Sequence, residues 1–438
     1  MRVYFYTLGC KVNAVETDSM AALLQAHGYR RTEMPEEAEV IVLNSCTVTA
    51  SGDSRMLRVL RKLRAAVPQA VIVLTGCYVQ AFPEEAAKLP EADILLGTAH
   101  RAALPALLEA YFLHPERVTA VEPHSRESTF ETLPQGTDAA HTRAFLKIQD
   151  GCDRYCTYCI IPYARGRCRS RELDSIRAQA AALYASGFRE IVLCGINLAC
   201  WEDDGADLAD AVQACADAGF PRVRLGSLEP DGLTADMLSR LSRISAFCPQ
   251  FHISVQSGCD RILAAMHRHY TAAEFAHLAA DIREHFPGAA VTTDIMTGFP
   301  GETDADHAET MVFVKAVQFS QMHIFRYSPR PGTKAAQYPD QIPESVKKAR
   351  ADALSALAAQ MQTAFLQSCI GHTLTVLFER ERGNGYHQGH AENYASVRVP
   401  DTDGTDWRGR ICKVRITGVQ ESHLTGSVTL HSSCFEER

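Results

Sequence analysis

The first hundred residues alternate short apolar segments with amphipathic ones. Apolar runs at residues 3–8, 39–43, 70–74 and 93–96 predict β-strands. Residues 18–27 and about 54–66 carry the apolar spacing of helices. Short apolar strands separated by helices are typical of a parallel sheet with helices on both faces, so the pattern predicts an α/β domain.

A second alternation of the same kind follows. Strands are predicted at residues 144–148, 190–194, 222–225, 251–255, 290–296 and 322–326, and helices at 173–185, 234–244 and 272–285. Six such units predict a partial (β/α)6 TIM-like barrel, whose site lies at the C-terminal ends of its strands.

The remaining segments divide the chain into three domains. Residues 113–142 are irregular and read as a connector. A long helix at about 343–367 is followed by strands at 373–378, 395–399, 411–419 and 423–430, with turns at 383–385 and 401–404. These short strands predict a small antiparallel β-barrel. We therefore expect domains at residues 1–113, 138–368 and 371–437 of an α/β chain.

Composition excludes several classes of protein. The chain is 46% hydrophobic and 22% charged, as in soluble globular proteins. No run approaches the roughly 20 apolar residues of a membrane-spanning helix, and residues 1–5 lead into a strand, so we expect a cytoplasmic protein without a membrane partner. A net charge of -8 argues against indiscriminate coating of nucleic acid.

Fifteen cysteines are many for a reducing compartment, where metal or catalytic roles are favoured over disulfides. Cys152, Cys156 and Cys159 lie in one short loop after the first predicted barrel strand. Three thiolates leave one iron of a 4Fe-4S cluster open, and the amino and carboxylate groups of S-adenosylmethionine (SAM) can chelate that iron. The alternative is a zinc site with a fourth ligand such as His.

Cys10, Cys46 and Cys77 each follow a different predicted strand of the first domain. Ligands collect beyond the carboxyl ends of parallel strands, so these three cysteines are expected to converge. The alternative is three buried cysteines without a metal. The other nine show no ligand spacing and are expected to be small apolar residues: Cys168, Cys194, Cys200, Cys215, Cys248, Cys259, Cys369, Cys412 and Cys434.

The cysteine loop belongs to the run DGCDRYCTYCIIP at residues 150–162, and further motifs occur at 195–197, 227–230, 252–258, 297–303 and 325–333. In this order they resemble the radical SAM methylthiotransferases over almost the whole chain. The resemblance implies that Cys152, Cys156 and Cys159 hold the catalytic 4Fe-4S cluster. It also implies a second 4Fe-4S cluster on Cys10, Cys46 and Cys77, again with an open iron, which suits sulfur delivery.

Within that family, TLGCKVN at residues 7–13 resembles the branch that adds a methylthio group to C2 of N6-threonylcarbamoyladenosine at tRNA position 37. One SAM then supplies the methyl group and a second supplies the radical. The resemblance further implies the tRNA anticodon loop and an electron donor such as flavodoxin or ferredoxin as partners. Residues 371–437 resemble the TRAM RNA-binding domain.

Several polar and glycine residues of these motifs are candidates for SAM contacts: Gly195, Asn197, Glu229, Gln256 and Arg326. Gly195 follows a barrel strand and permits a close backbone approach. The side chains of the other four have the polar groups to bond the ribose, amino or carboxylate of SAM. An ordinary polar or packing role is the alternative for each.

Two basic groups are candidates for RNA phosphates. One is on an amphipathic helix and one follows the cysteine loop: Arg55, Arg58, Arg61, Lys62 and Arg64, and Arg165, Arg167, Arg169 and Arg171. A solvated helix face is the alternative for the first group. In the C-terminal domain, Tyr386, Tyr394 and Trp407 are candidates for stacking on bases.

Three other functions fit parts of the pattern. The same chemistry applies to N6-isopentenyladenosine in tRNA or to a ribosomal protein side chain. A two-cluster redox or RNA-binding protein without catalysis is the alternative from another class, and it would not need an iron open to SAM.

Overall fold

The computed structural model describes residues 1–134, 136, 142–383, 385–402 and 404–429. Some predicted features lie outside the described residues: Cys434, the domain limits at 138 and 437, the turn residues Asn384 and Asp403, and Leu430 at the end of the last strand. Along the described chain, a parallel sheet, a second set of parallel strands and a small closed barrel follow one another.

The N-terminal part is a parallel six-stranded sheet in the order β2-β1-β3-β4-β5-β6. Its strands are β1 Arg2–Thr7, β2 Arg30–Arg31, β3 Val40–Ser45, β4 Val71–Gly76, β5 Ile94–Leu96 and β6 Val118–Ala120. Its helices are α1 Lys11–Ala26, α2 Ala50–Ala66, α3 Cys77–Ala81, α4 Pro83–Ala87 and α5 Leu104–Leu113. Strands β3 and β4 are wholly buried, which explains their continuous apolar runs and confirms the predicted parallel sheet.

Two predictions for this part are wrong. Helix α1 begins at Lys11, not residue 18, because the polar residues Asn13, Glu16 and Thr17 of its first turns are buried and hide the apolar period. Strand β6 lies inside the segment predicted as a connector, where it pairs with β5. Three residues, of which Thr119 is exposed and the other two are half buried, are too few to carry a strand pattern.

The central part has sequential parallel strands in two runs, β7-β10-β11 and β12-β13-β14-β15. The strands are β7 Ala144–Lys147, β8 Gln149–Asp150, β9 Arg169–Ser170, β10 Glu190–Cys194, β11 Arg222–Leu225, β12 Ser227–Leu228, β13 Gln250–Ile253, β14 Ala290–Thr297 and β15 Gln321–Arg326. Only Gly226 separates β11 from β12, so both runs belong to one partial barrel. The predicted (β/α)6 architecture is confirmed.

The helices of this part follow its strands along the chain, and the short α6 contacts α3 of the N-terminal part. They are α6 Ile161–Arg165, α7 Leu173–Ala185, α8 Leu208–Asp217, α9 Ala235–Ser242, α10 Asp260–Ala265, α11 Ala272–His285, α12 Asp304–Val317 and the long α13 Glu344–Ser368. One continuous apolar core, with Leu146, Ile191 and Phe251 among its members, fills the space between strands and helices. In the described part of the chain, no helix is long and apolar enough to cross a membrane.

The C-terminal part is a closed barrel of five strands in the order β16-β17-β18-β20-β19. The strands are β16 Thr373–Gly383, β17 Tyr386–Ala391, β18 Ser396–Pro400, β19 Ile411–Gln420 and β20 His423–Val428. Strand β17 escapes prediction because its inward positions are His387, Gly389 and Ala391, not large apolar residues. The pairing of β18 with β20 is parallel, so the expectation of a purely antiparallel barrel is wrong at that seam.

The C-terminal barrel docks on the N-terminal ends of the central strands. Buried Glu190 accepts from Arg222 at 2.5 Å and from Arg224 at 2.8 Å. Both arginines also donate to backbone carbonyls of the small barrel, including that of Ala391. The docking surface is therefore at the end of the central barrel opposite its predicted site.

Candidate metal-cluster sites

Three cysteines meet at one edge of the N-terminal sheet. Cys10 precedes α1, Cys46 follows β3 and Cys77 begins α3, directly after β4. Their strands are neighbours and run in the same direction, so their carboxyl ends lie together. Asn13 Oδ1 lies 3.8 Å from the Sγ of Cys10 and 4.0 Å from that of Cys77. The third thiol lies close by as well, because Cys46 Sγ is 3.2 Å from the position that a Cβ on Gly9, the neighbour of Cys10, would occupy.

Glycine is required where these loops approach one another. Gly9 has φ +118°, and a Cβ there would lie 2.7 Å from Cys46 Cβ. Gly76 has φ +99°, and its Cβ would lie 2.4 Å from the carbonyl oxygen of Ser45. Both positions combine a left-handed backbone with a contact too close for a side chain. The two glycines thus allow the cysteine-bearing loops to pack together.

The second set of cysteines lies in the loop between β8 and α6. The Cys152 N–H donates to the Gly166 carbonyl at 3.0 Å, and the Cys159 N–H donates to the Cys156 carbonyl at 2.9 Å. Gly151 has φ +73°, and a Cβ there would lie 1.8 Å from the Arg167 carbonyl oxygen. The loop is therefore folded tightly against the chain that follows it.

All six thiols are free, and most are strongly desolvated. Burial raises the pKa of Cys77 and of Cys152 to about 12, and it raises the pKa of Cys159 above its ordinary value. Thiolates at such positions need cationic partners or metal, whose binding releases the thiol protons. Free thiols in two sets of three match the donor chemistry of 4Fe-4S clusters.

One arginine donates to a thiol in each set. Arg165 Nε lies 3.3 Å from Cys77 Sγ, and Arg268 Nη1 lies 3.3 Å from Cys156 Sγ. Hydrogen bonds to cluster sulfurs are a means by which proteins tune such centres. Within the described ranges, no three His, Cys, Asp or Glu side chains form a group that could hold a metal ion.

A buried ionic network joins the two cysteine sets. Arg165 is fully buried and donates to Glu16 Oε1 at 2.6 Å, to Asp150 Oδ1 at 3.1 Å and to Asn13 Oδ1 at 2.7 Å. Burial alone would raise the pKa of Glu16, but Arg101, Arg165 and Lys147 outweigh it and hold that pKa at about 2. Asn13 contacts two thiols of the first cysteine set, and Asp150 immediately precedes the second cysteine loop. The Arg165 guanidinium therefore links the two cysteine sets.

Two of the candidate SAM residues lie beside the second loop on the strand-end motif of β10. Gln149 Oε1 accepts from the backbone N–H groups of Ile196 at 2.9 Å and Asn197 at 2.8 Å. A Cβ on Gly195 would lie 2.9 Å from Gln149 Cβ, so glycine permits this packing. Asn197 Nδ2 lies 3.9 Å from Cys152 Sγ. The buried Asn197 Oδ1 has no partner among the described residues, so it is free to bind a ligand.

The other three candidates differ in position. Glu229 pairs with Arg268, Oε2 to Nη2, at 2.5 Å, and burial raises its pKa. Gln256 has φ +70° and uses its backbone to bridge to β14. Arg326 is half exposed and faces Glu344 of α13 at 3.3 Å. Of the three, Glu229 is connected to the cysteine loop through Arg268, which sequence reasoning missed because it belongs to no recognised spacing.

Comparison with known proteins agrees with this geometry. The Radical SAM superfamily model matches residues 146–314, and the model described as "Uncharacterized protein family UPF0004" matches residues 2–97. Threonylcarbamoyladenosine tRNA methylthiotransferase MtaB of Bacillus subtilis (strain 168) is 36% identical over 423 residues, 94% of this chain and 93% of that protein. This chain belongs to the radical SAM methylthiotransferase family.

Relatives with two different names match the methylthiotransferase almost equally well. MtaB of Aquifex aeolicus (strain VF5) is 34% identical over 95% of this chain and 100% of its own. The tRNA-2-methylthio-N(6)-dimethylallyladenosine synthase of Moorella thermoacetica is 35% identical over 96% of this chain and 97% of its own. The solved radical SAM methyltransferase TsrM from Kitasatospora setae has a TM-score of 0.57 at 13% identity, covering 88% of this chain and 77% of that one, and supports the fold alone.

The methylthiotransferase is therefore an enzyme, and the non-catalytic alternative is set aside. Its cofactors are SAM and two 4Fe-4S clusters, the cofactors of its family.

Most of the remaining cysteines of the methylthiotransferase are buried as predicted: Cys194, Cys215, Cys248, Cys259, Cys369 and Cys412. Cys168 and Cys200 differ, because both are only half buried and their side chains are hydrogen-bonded to each other. Cys200 also accepts from Asn197 Nδ2 at 2.9 Å. These two thiols lie at the border of the second cysteine loop, where the sequence spacing gave no indication of them.

The predicted RNA contacts of the methylthiotransferase need correction. Arg165 and Arg171 are buried and Arg169 pairs with Asp150, so only Arg167 of the second basic group is exposed. In the first group, Arg64 is tied to Asp93 at 2.5 Å. The other four members remain exposed: Arg55, Arg58, Arg61 and Lys62.

Two aromatic candidates of the C-terminal barrel are engaged within the protein. The Tyr394 ring lies 5.0 Å from the Arg224 guanidinium at the docking surface. Trp407 is half buried and stacks on His387 with centroids 4.2 Å apart. Tyr386, at the start of β17, is half buried. Tyr394, which the sequence indicated as a candidate for base stacking, therefore contributes to the docking of the barrel.

Proposed function

We propose that this methylthiotransferase adds a methylthio group to C2 of N6-threonylcarbamoyladenosine at position 37 of tRNA. The observation that carries the proposal is the convergence of Cys10, Cys46 and Cys77 beside the loop of the second cysteine set. Of these three, Cys10 belongs to the opening motif of residues 7–13. Two relatives that carry the name of this activity support the acceptor. The same chemistry on a dimethylallyl-type adenosine is the second candidate, because relatives of that name are as similar.

The ligand sets follow from the two cysteine groups. Cys152, Cys156 and Cys159 would hold the catalytic cluster, and Cys10, Cys46 and Cys77 would hold the other. When bound, the clusters and SAM supply the radical, the methyl group and the sulfur. Adenine C2 carries a hydrogen that is neither acidic nor readily displaced, which explains why a radical is needed.

The protein side chains around the clusters hold charge and exclude water. Arg268, fixed by Glu229 and by the Ser254 carbonyl at 2.8 Å, keeps a donor on Cys156. Arg165 does the same for Cys77. Asn197 offers an unpaired Oδ1 to a hydrogen-bond donor such as the SAM amino group or ribose. Gly195, Glu229, Gln256 and Arg326 complete the proposed SAM contacts.

Each proposed domain has one task. The first, residues 1–113 and extended by β6 to about 120, carries the sulfur-delivering cluster. The second, residues 138–368, is the radical SAM core, and the third, residues 371–437, is a TRAM domain that binds tRNA. Partners are the tRNA anticodon loop and an electron donor such as flavodoxin or ferredoxin.

The acceptor is tested by mass spectrometry of tRNA nucleosides from a strain lacking the gene, with and without the restored protein. We expect 2-methylthio-N6-threonylcarbamoyladenosine to disappear and to return only with the wild-type protein. If it persists while another methylthio nucleoside vanishes, the chemistry stands and the acceptor is wrong.

The two ligand sets are tested by alanine substitution in the purified, reconstituted protein. Replacing Cys152, Cys156 and Cys159 should remove about half of the iron and all reductive SAM cleavage. Replacing Cys10, Cys46 and Cys77 should remove the other half and all methylthio product while SAM cleavage continues. Cys215→Ala, at a buried cysteine far from both sets in sequence, is the control and should retain the full iron content.

A further inference from the structure

A groove of about 530 Å³ lies beside both cysteine sets and is used by no step described so far. It is formed where α3 and the segment after β6 face the second cysteine loop and α6. The groove is defined by Gln80, His124, Arg126, Tyr155, Tyr163 and Arg167. Tyr155 lies between Cys152 and Cys156, and Gln80 follows Cys77 by three residues, so the groove adjoins the reaction centre from both sides.

Two tyrosine rings are held open to solvent in this groove. Tyr155 is 40% exposed and Tyr163 is 49% exposed, and their ring centroids lie 6.1 Å apart at an interplanar angle of 87°. Tyr155 has φ +46°, a left-handed backbone that is strained for an aromatic residue. Such strain persists only where the surrounding structure imposes it, and it accumulates at ligand sites. The groove is thus lined by two partly exposed aromatic rings in an edge-to-face arrangement.

The charge of the groove is opposite to that of the whole chain. Arg126 and Arg167 are exposed, and neither forms an ion pair with any residue that the structure describes. The described lining residues include no carboxylate, although the chain has a net charge of -8. Burial lowers the pKa of His124 to about 4, so its ring is neutral at pH 7 and the two arginines carry the charge. An anionic ligand is therefore favoured.

We propose that the groove binds one nucleotide of a single-stranded RNA, with its base stacked on Tyr163 and the phosphates on either side of it against Arg126 and Arg167. Base stacking on aromatic side chains together with cationic contacts to the backbone is the common mode of single-strand recognition. This inference rests on the proposed function, because the occupant is a nucleotide of the anticodon loop next to the adenosine that is modified. The groove then holds the loop in register while the neighbouring base enters the site.

The proposal is tested by binding of an anticodon stem-loop RNA to the full-length, reconstituted protein under anaerobic conditions. Tyr163→Ala should raise the dissociation constant about 5- to 150-fold, the loss expected for one stacked base. Tyr163→Trp keeps a ring and should bind within a few-fold of the wild type. The matched control is Phe112→Ala, which removes a ring that is 38% exposed on α5 and should leave affinity unchanged.

A second measurement separates stacking from charge. The slope of log affinity against log salt is negative, and Arg126→Ala and Arg167→Ala should each make it less steep by about 0.7, the value for one phosphate of a single strand. RNA carrying 2-aminopurine next to the modified position should lose fluorescence on binding to the wild type and keep it with Tyr163→Ala. Iron content and melting temperature of every variant are compared with the wild type to exclude misfolding.

The binding measurements test the groove proposal independently of the methylthiolation reaction. If Tyr163→Ala binds as tightly as Phe112→Ala and quenches 2-aminopurine equally, or if the wild type does not bind the RNA, the groove proposal is overturned. Formation of the methylthio nucleoside by the wild type would then still uphold the proposed function. If the wild type forms no methylthio nucleoside but binds the RNA tightly and through Tyr163, the proposed function is overturned and the groove proposal stands.

Discussion

Replacing Arg165 with Gln tests the network that joins the two cysteine sets. The side chain is fully buried, and its guanidinium contacts Glu16 and Asp150. A shorter neutral amide leaves both carboxylates without this cation. Removing one partner of a buried ion pair costs about 3–5 kcal/mol, because the remaining charge stays desolvated. We expect Arg165→Gln to lower the free energy of unfolding by that amount.

The pKa of Glu16 gives a second measure of the same network. It is about 2 in the folded protein instead of 4.5, and at about 1.4 kcal/mol per pH unit this corresponds to about 3 kcal/mol of stability. The folded pKa is the lower one, so this stabilisation is complete above pH 4.5 and is lost as the pH falls toward 2. Glu16→Gln should flatten the acid limb of the stability curve over that interval.

Urea unfolding of the full-length protein under reducing, anaerobic conditions measures these effects. Arg167→Gln is the matched control, because that arginine lies two residues further on and is exposed. Combining Arg165→Gln with Glu16→Gln should cost less than the two single losses together, since the residues share one network. Ordinary surface substitutions change the free energy of unfolding by up to about 0.5 kcal/mol. If Arg165→Gln and Arg167→Gln lower it by amounts that differ no more than this, the reasoning is refuted.

Three further predictions concern other parts of the chain. Gly151→Ala places a Cβ 1.8 Å from the Arg167 carbonyl oxygen at φ +73°. We therefore expect the reconstituted variant to bind less iron than the wild type, and full iron content would contradict this. Glu190→Gln removes the carboxylate that pairs with three arginines under the C-terminal barrel, and limited proteolysis should then release that barrel faster, whereas unchanged cleavage would speak against the docking role. Asn197→Ala should raise the KM for SAM about 2- to 10-fold, as for one lost hydrogen bond, with little change in the iron content, and an unchanged KM would remove Asn197 from the SAM site.

Local sequence determined the parts of this protein that depend on near neighbours. The continuous apolar runs of β3 and β4 predicted a parallel sheet, because central strands of such sheets are buried on both faces. Cys152, Cys156 and Cys159 predicted one site, since their spacing alone keeps them in a single loop. The convergence of Cys10, Cys46 and Cys77 was also predictable, because parallel strands end at the same edge.

Tertiary structure decided which polar groups are buried and what they contact. Arg165 and Arg171 looked like RNA contacts by sequence, yet both are inside the protein. The first turns of α1 escaped prediction because Glu16 and its neighbours face the network instead of an apolar core. Glu16 contacts Arg165, Arg101 and Lys147, all far away in the sequence. A local pattern of apolar and polar positions carries no information about a partner that is brought near only by folding.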